Sequence, residues 1–302
     1  MESVTNPLLP EPWYPRRLAA KFQARAAKPR FVTRATMSKD LLVVGPGRLG
    51  RLIAKHWGEE NRGSARIVGQ TRSSKEHDAL RALGIEPVVR DAATAERFPF
   101  VVFCAPPDTD YALEVRRAAE RWNGEGSLLF TSSSAVYDCF DNGLCVESTP
   151  TVAKGRSPRT DTILAAEEEI LKVGGNVVRL AGLYSADRGA HAYWRTFPVI
   201  KERPDCYINL IHYEDAATLC VAILRRTDFR GRVFMGCDGT PMSRQEIMDV
   251  VSKNQECKTT FTGSDGPLGK KMDGSKTREE LHWQPRYKSF EEFMKLHSAV
   301  TV

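Results

Sequence analysis

The sequence predicts an α/β fold: a doubly wound parallel sheet with helices on both faces. Two observations predict it. Short apolar runs alternate with segments of helical periodicity from Leu41 to about Tyr184, and the first run leads directly into a glycine-rich turn. Strands buried on both faces are continuous apolar runs, and regular alternation of strand and helix forms a parallel sheet. The 302 residues suit one large domain or a domain with a lobe.

The first half of the chain holds the clearest elements. LLVV, starting at Leu41, is the first strand and precedes the turn GPGRLG, and RLIAKHW after the turn has apolar residues at helical spacing. The alternation then continues with the strand ARIVGQTR, the helix EHDALRALG closed by Gly84, the strands IEPVVRD and FPFVVFCAPP, the helix Tyr111–Trp122 and the strand SLLFTSSS.

The second half is less regular. A helix over about residues 160–172 precedes the strand NVVRLAGLY, a short strand and a helix near Glu214 follow, and GRVFMGCD is strand-like. Ser243 and Glu246 have the capping-box spacing at the start of the helix SRQEIMDVVSK. The polar stretch 254–276 is predicted to be a loop, and two short helices follow it.

Composition and charge exclude several classes of protein. Hydrophobic residues make up 41% and charged residues 27%, which is typical of a globular chain. No run approaches the roughly 18 apolar residues of a membrane helix. The net charge is +6, but residues 1–36 carry +5 of it. The nearly neutral remainder argues against a nucleic-acid partner.

Residues 1–36 have the composition of an organelle transit peptide. They are rich in Arg and Ala, poor in acids, and lack the apolar core of a secretory signal. The alternative is a disordered basic tail. We expect residues 1–36 to be a disordered address removed near Ala35–Met37, and residues 37–302 to form the folded protein.

Cysteine and histidine spacing predicts no metal site. The seven Cys contain no Cys-x-x-Cys pair, and the six His contain no i, i+4 pair. Cys139 and Cys145 flank a loop, where they form either a redox pair or two unrelated thiols.

The turn GPGRLG predicts a site for a dinucleotide. Gly45, Gly47 and Gly50 follow a strand and open a helix, which is the context that makes this motif specific. The first glycine permits the tight turn, the second admits a pyrophosphate and the third lets helix and strand pack closely. The helix N-terminus then attracts the phosphates. The alternative is a glycine turn without a ligand.

The end of the second strand indicates NADP(H) rather than NAD(H). NAD-binding chains place an acid there, whereas this chain has Thr71, Arg72, Ser73, Ser74 and Lys75 before Glu76. An arginine fork suits the 2′-phosphate, and Ser73 and Lys75 add donors. Alternatively, Lys75 binds no phosphate and is a solvated residue at the start of a helix. Arg48, inside the glycine turn, is a second candidate for the phosphate.

Together these pieces resemble the short-chain dehydrogenase/reductase superfamily, in its extended or atypical branch related to nucleoside-diphosphate-sugar epimerases. The resemblance runs from Leu41 to Phe293 through GPGRLG, CAPP, TSSSAVY, RLAGLY, INLIHYEDAA and LHWQPRYKSFEEF. It implies a Rossmann domain with a small C-terminal lobe, formed mainly by residues 185–210 and 237–302. Because the branch includes many plastid proteins, we expect the chloroplast stroma, with the mitochondrion as the alternative.

The resemblance also assigns residues to the site. Ser133 matches the residue that orients the substrate, with an uncertainty of one position toward Ser132 or Ser134. The segments Cys104-Ala105-Pro106 and Ala181-Gly182-Leu183 match those that line the cofactor. The expected cofactor-binding residues are Gly45, Gly47, Arg48, Leu49, Gly50, Thr71, Arg72, Ser73, Lys75, Cys104, Ala105, Pro106, Ser132, Ala181, Gly182 and Leu183.

One feature departs from the superfamily. Its catalytic Tyr-x-x-x-Lys pair is absent, and the two aligned positions hold Arg159 and Ile163. Another group would have to move the proton. The candidates are Tyr137, Tyr184, His191 and Tyr193, each alternatively a packing or rim residue.

Two functions compete. The first is an NADP(H)-dependent oxidoreductase acting on an unknown small molecule. The alternative is a non-catalytic NADP(H)-binding assembly or regulatory factor of the plastid, with a homo-oligomer or a plastid protein as partner. An RNA-binding relative is disfavoured by the neutral charge of residues 37–302.

Overall fold

The computed structural model describes residues 37–90, 96–107, 110–254 and 257–298. The transit-peptide prediction for residues 1–36 lies outside them. The strands are β1 (Leu41–Val44), β2 (Ile67–Thr71), β3 (Glu86–Val89), β4 (Phe98–Phe103), β5 (Trp122–Ser133), β6 (Asp141–Cys145), β7 (Asn176–Leu180), β8 (Gly182–Tyr184), β9 (Val199–Ile200), β10 (Tyr207–Ile208), β11 (Leu210–His212), β12 (Val233–Gly236), β13 (Met242–Ser243), β14 (Thr260–Phe261) and β15 (Gly269–Met272). The helices are α1 (Arg48–Glu60), α2 (His77–Ala82), α3 (Tyr111–Glu120), α4 (Pro158–Lys172), α5 (Ala190–Trp194), α6 (Tyr213–Arg225), α7 (Arg244–Asn254), α8 (Ser275–Leu281) and α9 (Phe290–Ser298).

The predicted doubly wound parallel sheet is confirmed. Seven strands lie in the order β12-β7-β5-β4-β1-β2-β3, and every neighbouring pair is parallel. All four residues of β1 are buried, with Leu41 and Val43 in one apolar cluster and Leu42 and Val44 in another. Because side chains alternate across a strand, the sheet has a buried face on each side. Helices α1 and α6 pack together, as do α3 and α4.

A second, smaller sheet has the strand order β13-β10-β15-β6. The predictions of a loop between Cys139 and Cys145 and over residues 254–276 are wrong in part, because β6 and β15 lie there and pair in parallel. Their sequences are polar, and it is strand pairing that makes them regular. Gly269 permits the approach of β15 to β10, since an added Cβ would lie 2.2 Å from the Tyr207 carbonyl oxygen.

The predicted strand NVVRLAGLY forms two strands instead of one. β7 stays in the central sheet, whereas β8 pairs with β11 in a two-stranded sheet. The break falls at Ala181, whose N–H donates to the Gly236 carbonyl at the end of β12. The chain therefore leaves the central sheet at its carboxyl edge, where ligands of such folds bind.

Local signals in the sequence are confirmed. The capping box at α7 forms, with the Ser243 N–H donating to Glu246 at 2.7 Å and the Glu246 N–H donating to Ser243 Oγ at 3.2 Å. Gly84 ends α2 with a φ of 73°. Cys139 and Cys145 are free thiols, as are the other cysteines.

Two negative findings concern the described ranges alone. They contain no group of three or more His, Cys, Asp or Glu side chains that could hold a metal ion. None of their helices is long and apolar enough to cross a membrane.

Candidate functional site

The three glycines of the turn between β1 and α1 occupy three different environments. A Cβ on Gly45, whose φ is 77°, would lie 2.6 Å from Ala105 backbone atoms at the end of β4. A Cβ on Gly50 would lie 2.9 Å from the Gly45 carbonyl oxygen and from Val43. A Cβ on Gly47 would meet nothing within 4 Å. The first and third glycines therefore permit close backbone packing, and the second faces open space.

The N-terminus of α1 has the chemistry of an anion site. Gly47 is its N-cap, no side chain caps it, and its first turn holds no acid. Its first N–H groups and its dipole therefore point at the space beside Gly47. The pyrophosphate of a nicotinamide dinucleotide fits this arrangement.

A cavity of about 810 Å³ extends from the turn across the ends of β2 and β3. Its charged lining holds six arginines and three glutamates: Arg48, Arg51, Arg72, Arg90, Arg117, Arg121, Glu76, Glu114 and Glu120. Arg72 Nη2 lies 3.8 Å from Glu114, which also pairs with Arg90. The excess of positive charge suits a phosphorylated ribose. Arg90 follows the end of β3, just as Arg72 follows the end of β2. Sequence reasoning did not identify Arg90 as a candidate residue.

Four residues were expected at the ribose or its phosphate, and the structure places them in different surroundings. Thr71 lines the cavity, but its hydroxyl contacts His77 Nε2 at 2.8 Å. Ser73 and Lys75 are exposed outside its lining. Arg48 binds both carboxylate oxygens of Asp187, at 2.7 and 2.8 Å, and so faces the loop after β8.

A second cavity of about 810 Å³ lies at the carboxyl ends of β4, β5 and β7. It brings together four distant segments of the chain that were predicted to belong to the site. The predicted residues in its lining are Gly47, Arg48, Leu49, Gly50, Cys104, Ala105, Pro106, Ser132, Ser133, Ala181, Gly182 and Leu183. Five of them, Gly47, Arg48, Cys104, Ala105 and Pro106, also line the first cavity, so the two cavities share a wall.

The two predicted serines differ in their hydrogen bonds. Ser132 donates to Glu167 at 2.5 Å, and Glu167 forms a buried ion pair with Arg179 at 2.7 Å. Ser133 Oγ accepts a bond from the Ala135 N–H at 3.2 Å, which leaves its own proton available to an acceptor in the cavity. Of these two serines, Ser133 is the one able to donate to a ligand.

The positions aligned with the Tyr-Lys pair face this second cavity. Arg159 and Ile163 both line it from α4. An arginine is a poor proton donor at neutral pH, and isoleucine has no titratable group. α4 therefore presents no ordinary general acid to the cavity.

The four proton-donor candidates lie outside the cavity lining, as the alternative of packing or rim residues implies. Tyr137 is fully buried beneath the Arg179 guanidinium, and burial raises its pKa to about 12. Tyr184 packs edge-on against two aromatic rings of α9, and burial raises its pKa as well. His191 is buried, and Tyr193 is 64% exposed. Both tyrosines predicted to be catalytic are core residues.

Sequence reasoning missed the side of the cavity formed by residues near β10 and β15. Tyr207, Asn209 and Lys270 line it. Lys270 is 9% exposed, and its Nζ donates to the carbonyls of Ser134 at 2.9 Å and Tyr137 at 3.1 Å. No motif marks Lys270, because β15 arises from a polar stretch.

Comparisons with known proteins identify solved structures of similar fold. No protein-family model matches the sequence, and no curated protein matches it. A functionally unknown conserved protein from Silicibacter pomeroyi is similar in structure, with 22% identity, coverage of 86% of this chain and 98% of that chain, and a TM-score of 0.70.

Two further similar structures contain NAD. One is a dTDP-glucose 4,6-dehydratase from Bacillus anthracis, with 13% identity, coverage of 86% and 95%, and a TM-score of 0.70. The other is a UDP-glucuronic acid 4-epimerase from Bacillus cereus, with 14% identity, coverage of 86% and 96%, and a TM-score of 0.69. At these identities the likeness establishes a shared fold.

Proposed function

We propose that this chain is an NADP(H)-binding member of the short-chain dehydrogenase/reductase superfamily that acts as an oxidoreductase on a small molecule. The observation that carries the proposal is the wall shared by the two cavities at Gly47. An extended dinucleotide with its pyrophosphate at that wall would reach both. NAD in the two sugar-modifying structures of the same fold supports a nicotinamide cofactor.

Different residues of the chain would bind the different parts of the cofactor and the substrate. The N-terminus of α1 binds the pyrophosphate, Arg72 binds the 2′-phosphate, and Ser133 donates a hydrogen bond to an oxygen of the substrate. A bound nicotinamide supplies hydride transfer. The Tyr111 hydroxyl lines the cavity but donates to the Ala105 carbonyl at 3.0 Å, so its proton is already engaged.

One observation favours the alternative, a non-catalytic NADP(H)-binding factor. Ile163 and Arg159 occupy the positions where the superfamily places its proton-transfer pair. A chain that had lost turnover would keep the glycine turn and the arginines while losing that pair. For either function, the composition of residues 1–36 supports an organelle address, and the resemblance to plastid proteins favours the chloroplast stroma over the mitochondrion.

Gly47→Glu tests cofactor binding directly. Because a Cβ at Gly47 meets no protein atom within 4 Å, the substitution leaves the fold intact and places a carboxylate where the pyrophosphate would lie. We expect NADPH affinity to fall by about a hundredfold or more, with an unchanged melting temperature. Fluorescence titration of NADPH measures the affinity.

The matched control is Lys276→Glu, an exposed position outside both cavities. It should bind NADPH as the unaltered chain does. Equal affinities for Gly47→Glu and the unaltered chain would refute the proposed site. Consumption of NADPH by a panel of carbonyl compounds then separates the enzyme from the non-catalytic factor.

A further inference from the structure

In the second cavity, beside Ser133, the charged side chains of the described lining are all positive. Its lining contains four cationic side chains and, within the described part of the chain, no Asp or Glu. The cations are Arg48, Arg159, Arg188 and Lys270. Asp187 neutralises Arg48, so the uncompensated charge comes from the other three.

Arg159 and Arg188 are exposed at the cavity and have no ion pair or side-chain hydrogen bond within the described residues. Arg159 also lies in the first turn of α4, where the helix dipole disfavours a cation. An anion in the cavity would pair with both guanidinium groups and offset the unfavourable dipole at Arg159.

Lys270 is the buried member of the group. Its two bonds to the carbonyls of Ser134 and Tyr137 leave one N–H of the ammonium group unused. It has no ion pair with a described carboxylate, and an unpaired buried charge is costly. Burial accordingly lowers the pKa of Lys270. A negatively charged ligand would supply the missing partner.

We propose that the substrate of this cavity is a small anion, a carboxylate or phosphate compound whose charged group lies among Lys270, Arg159 and Arg188. The inference rests on the proposed function, since it names the substrate class of that same site. Arginine forks and a lysine ammonium bind both kinds of oxyanion.

The test uses the full chain saturated with NADP⁺, which fills the phosphate position beside Gly47. Citrate and inorganic pyrophosphate are titrated by calorimetry at constant ionic strength, with sorbitol as a neutral compound. We expect at least one anion to bind with a stoichiometry of one, and sorbitol not to bind. Citrate alone indicates a carboxylate substrate, and pyrophosphate alone indicates a phosphate.

Variants then locate the anion. The double variant Arg159→Gln/Arg188→Gln changes exposed residues only, and it should weaken anion binding by about tenfold or more. Lys270→Met should also weaken anion binding by about tenfold or more. Lys270→Arg should bind the anion more tightly than Lys270→Met does. Arg195→Gln and Lys276→Met, both exposed outside the cavity, should bind as the unaltered chain does.

Absence of anion binding, or equal binding by the unaltered chain, the double variant and Lys270→Met, would overturn the inference. Failure of NADP⁺ itself to bind would instead count against the proposed function. The same titration is then made without NADP⁺. Selective weakening in the double variant and Lys270→Met would still support the anion site, and equal binding would still refute it.

Discussion

At the scale of single residues, Arg72 carries the predicted choice of cofactor. It follows β2 at the edge of the first cavity, and Glu114 holds both Arg72 and Arg90 beside that cavity. Two guanidinium groups on adjacent strand ends suit a phosphate better than a neutral ribose hydroxyl. Arg48, the second candidate, is committed to Asp187.

Arg72→Glu should reverse the cofactor preference. We expect NADPH affinity to fall by about tenfold to a hundredfold, because the 2′-phosphate would meet a negative charge, while NADH affinity changes little. Fluorescence titrations of both nucleotides measure this. Arg81→Glu, an exposed change on α2 outside the cavity, is the control. Equal losses for NADPH and NADH, or a preference of the unaltered chain for NADH, would contradict the assignment.

At the scale of elements, a buried ion pair fixes α4 against the central sheet. Glu167 of α4 forms an ion pair with Arg179 of β7 and accepts a hydrogen bond from the Ser132 hydroxyl of β5. Both charged side chains are nearly inaccessible, at 3% and 9% exposure. The pair therefore sets the position of the helix that presents Arg159 and Ile163 to the cavity.

Breaking this pair from one side should be strongly destabilising. Arg179→Met leaves the Glu167 carboxylate buried without a counter-charge, and we expect the free energy of unfolding to fall by about 3–5 kcal/mol. Urea denaturation measures it. Adding Glu167→Gln should recover part of the loss.

The matched comparison is the more exposed pair of Arg116 on α3 with Glu169 on α4, which has the same N to O distance of 2.7 Å. Arg116→Met should change stability little, because solvent screens that pair. If Arg116→Met and Arg179→Met destabilise the chain equally, burial is not the cause.

At the scale of the whole molecule, the central sheet is linked to the two-stranded sheet of β8 and β11 at the end of β12. Asp238 follows β12, and its N–H donates to the Leu210 carbonyl of β11. One carboxylate oxygen accepts from the Thr240 N–H at 2.9 Å, and the other has no hydrogen-bond partner within the described residues. Burial raises the pKa of Asp238 to about 8, and the nearby charge of Asp215 adds to the shift.

This carboxyl group should make stability depend on pH. Its pKa is higher in the folded state than the ordinary value of 3.8, so its contribution to stability is complete below about pH 4 and is lost as the pH rises through about 8. Asp238→Asn removes the titration while keeping the acceptor for Thr240. We expect the variant to be more stable than the unaltered chain at pH 8 by about 1 kcal/mol or more, and nearly equal to it at pH 4.

Urea denaturation across that pH range measures the difference. Asp265→Asn, an exposed change, should leave the pH profile unaltered. A difference between Asp238→Asn and the unaltered chain that stays constant with pH would contradict the assignment.

The sequence by itself determined what depends on spacing along the chain. The glycine turn, the apolar strands and the Ser243–Glu246 capping box each involve residues within about one turn or one strand of each other, so local sterics and hydrogen bonding fix them. The fold class and the glycine turn at the shared wall followed from these patterns, whereas the resemblance supplied Cys104, Ala105 and Pro106.

Only the tertiary structure decided which groups face the second cavity. Lys270 reaches the Ser134 carbonyl across 136 positions of sequence, from a strand whose polar residues carry no periodic signal. Tyr137 and Tyr184 follow motif segments but point into the core, and Arg159 and Arg188 meet at the cavity from separate elements. Side-chain direction and contacts over such separations depend on how the elements pack, which no local pattern of residues specifies.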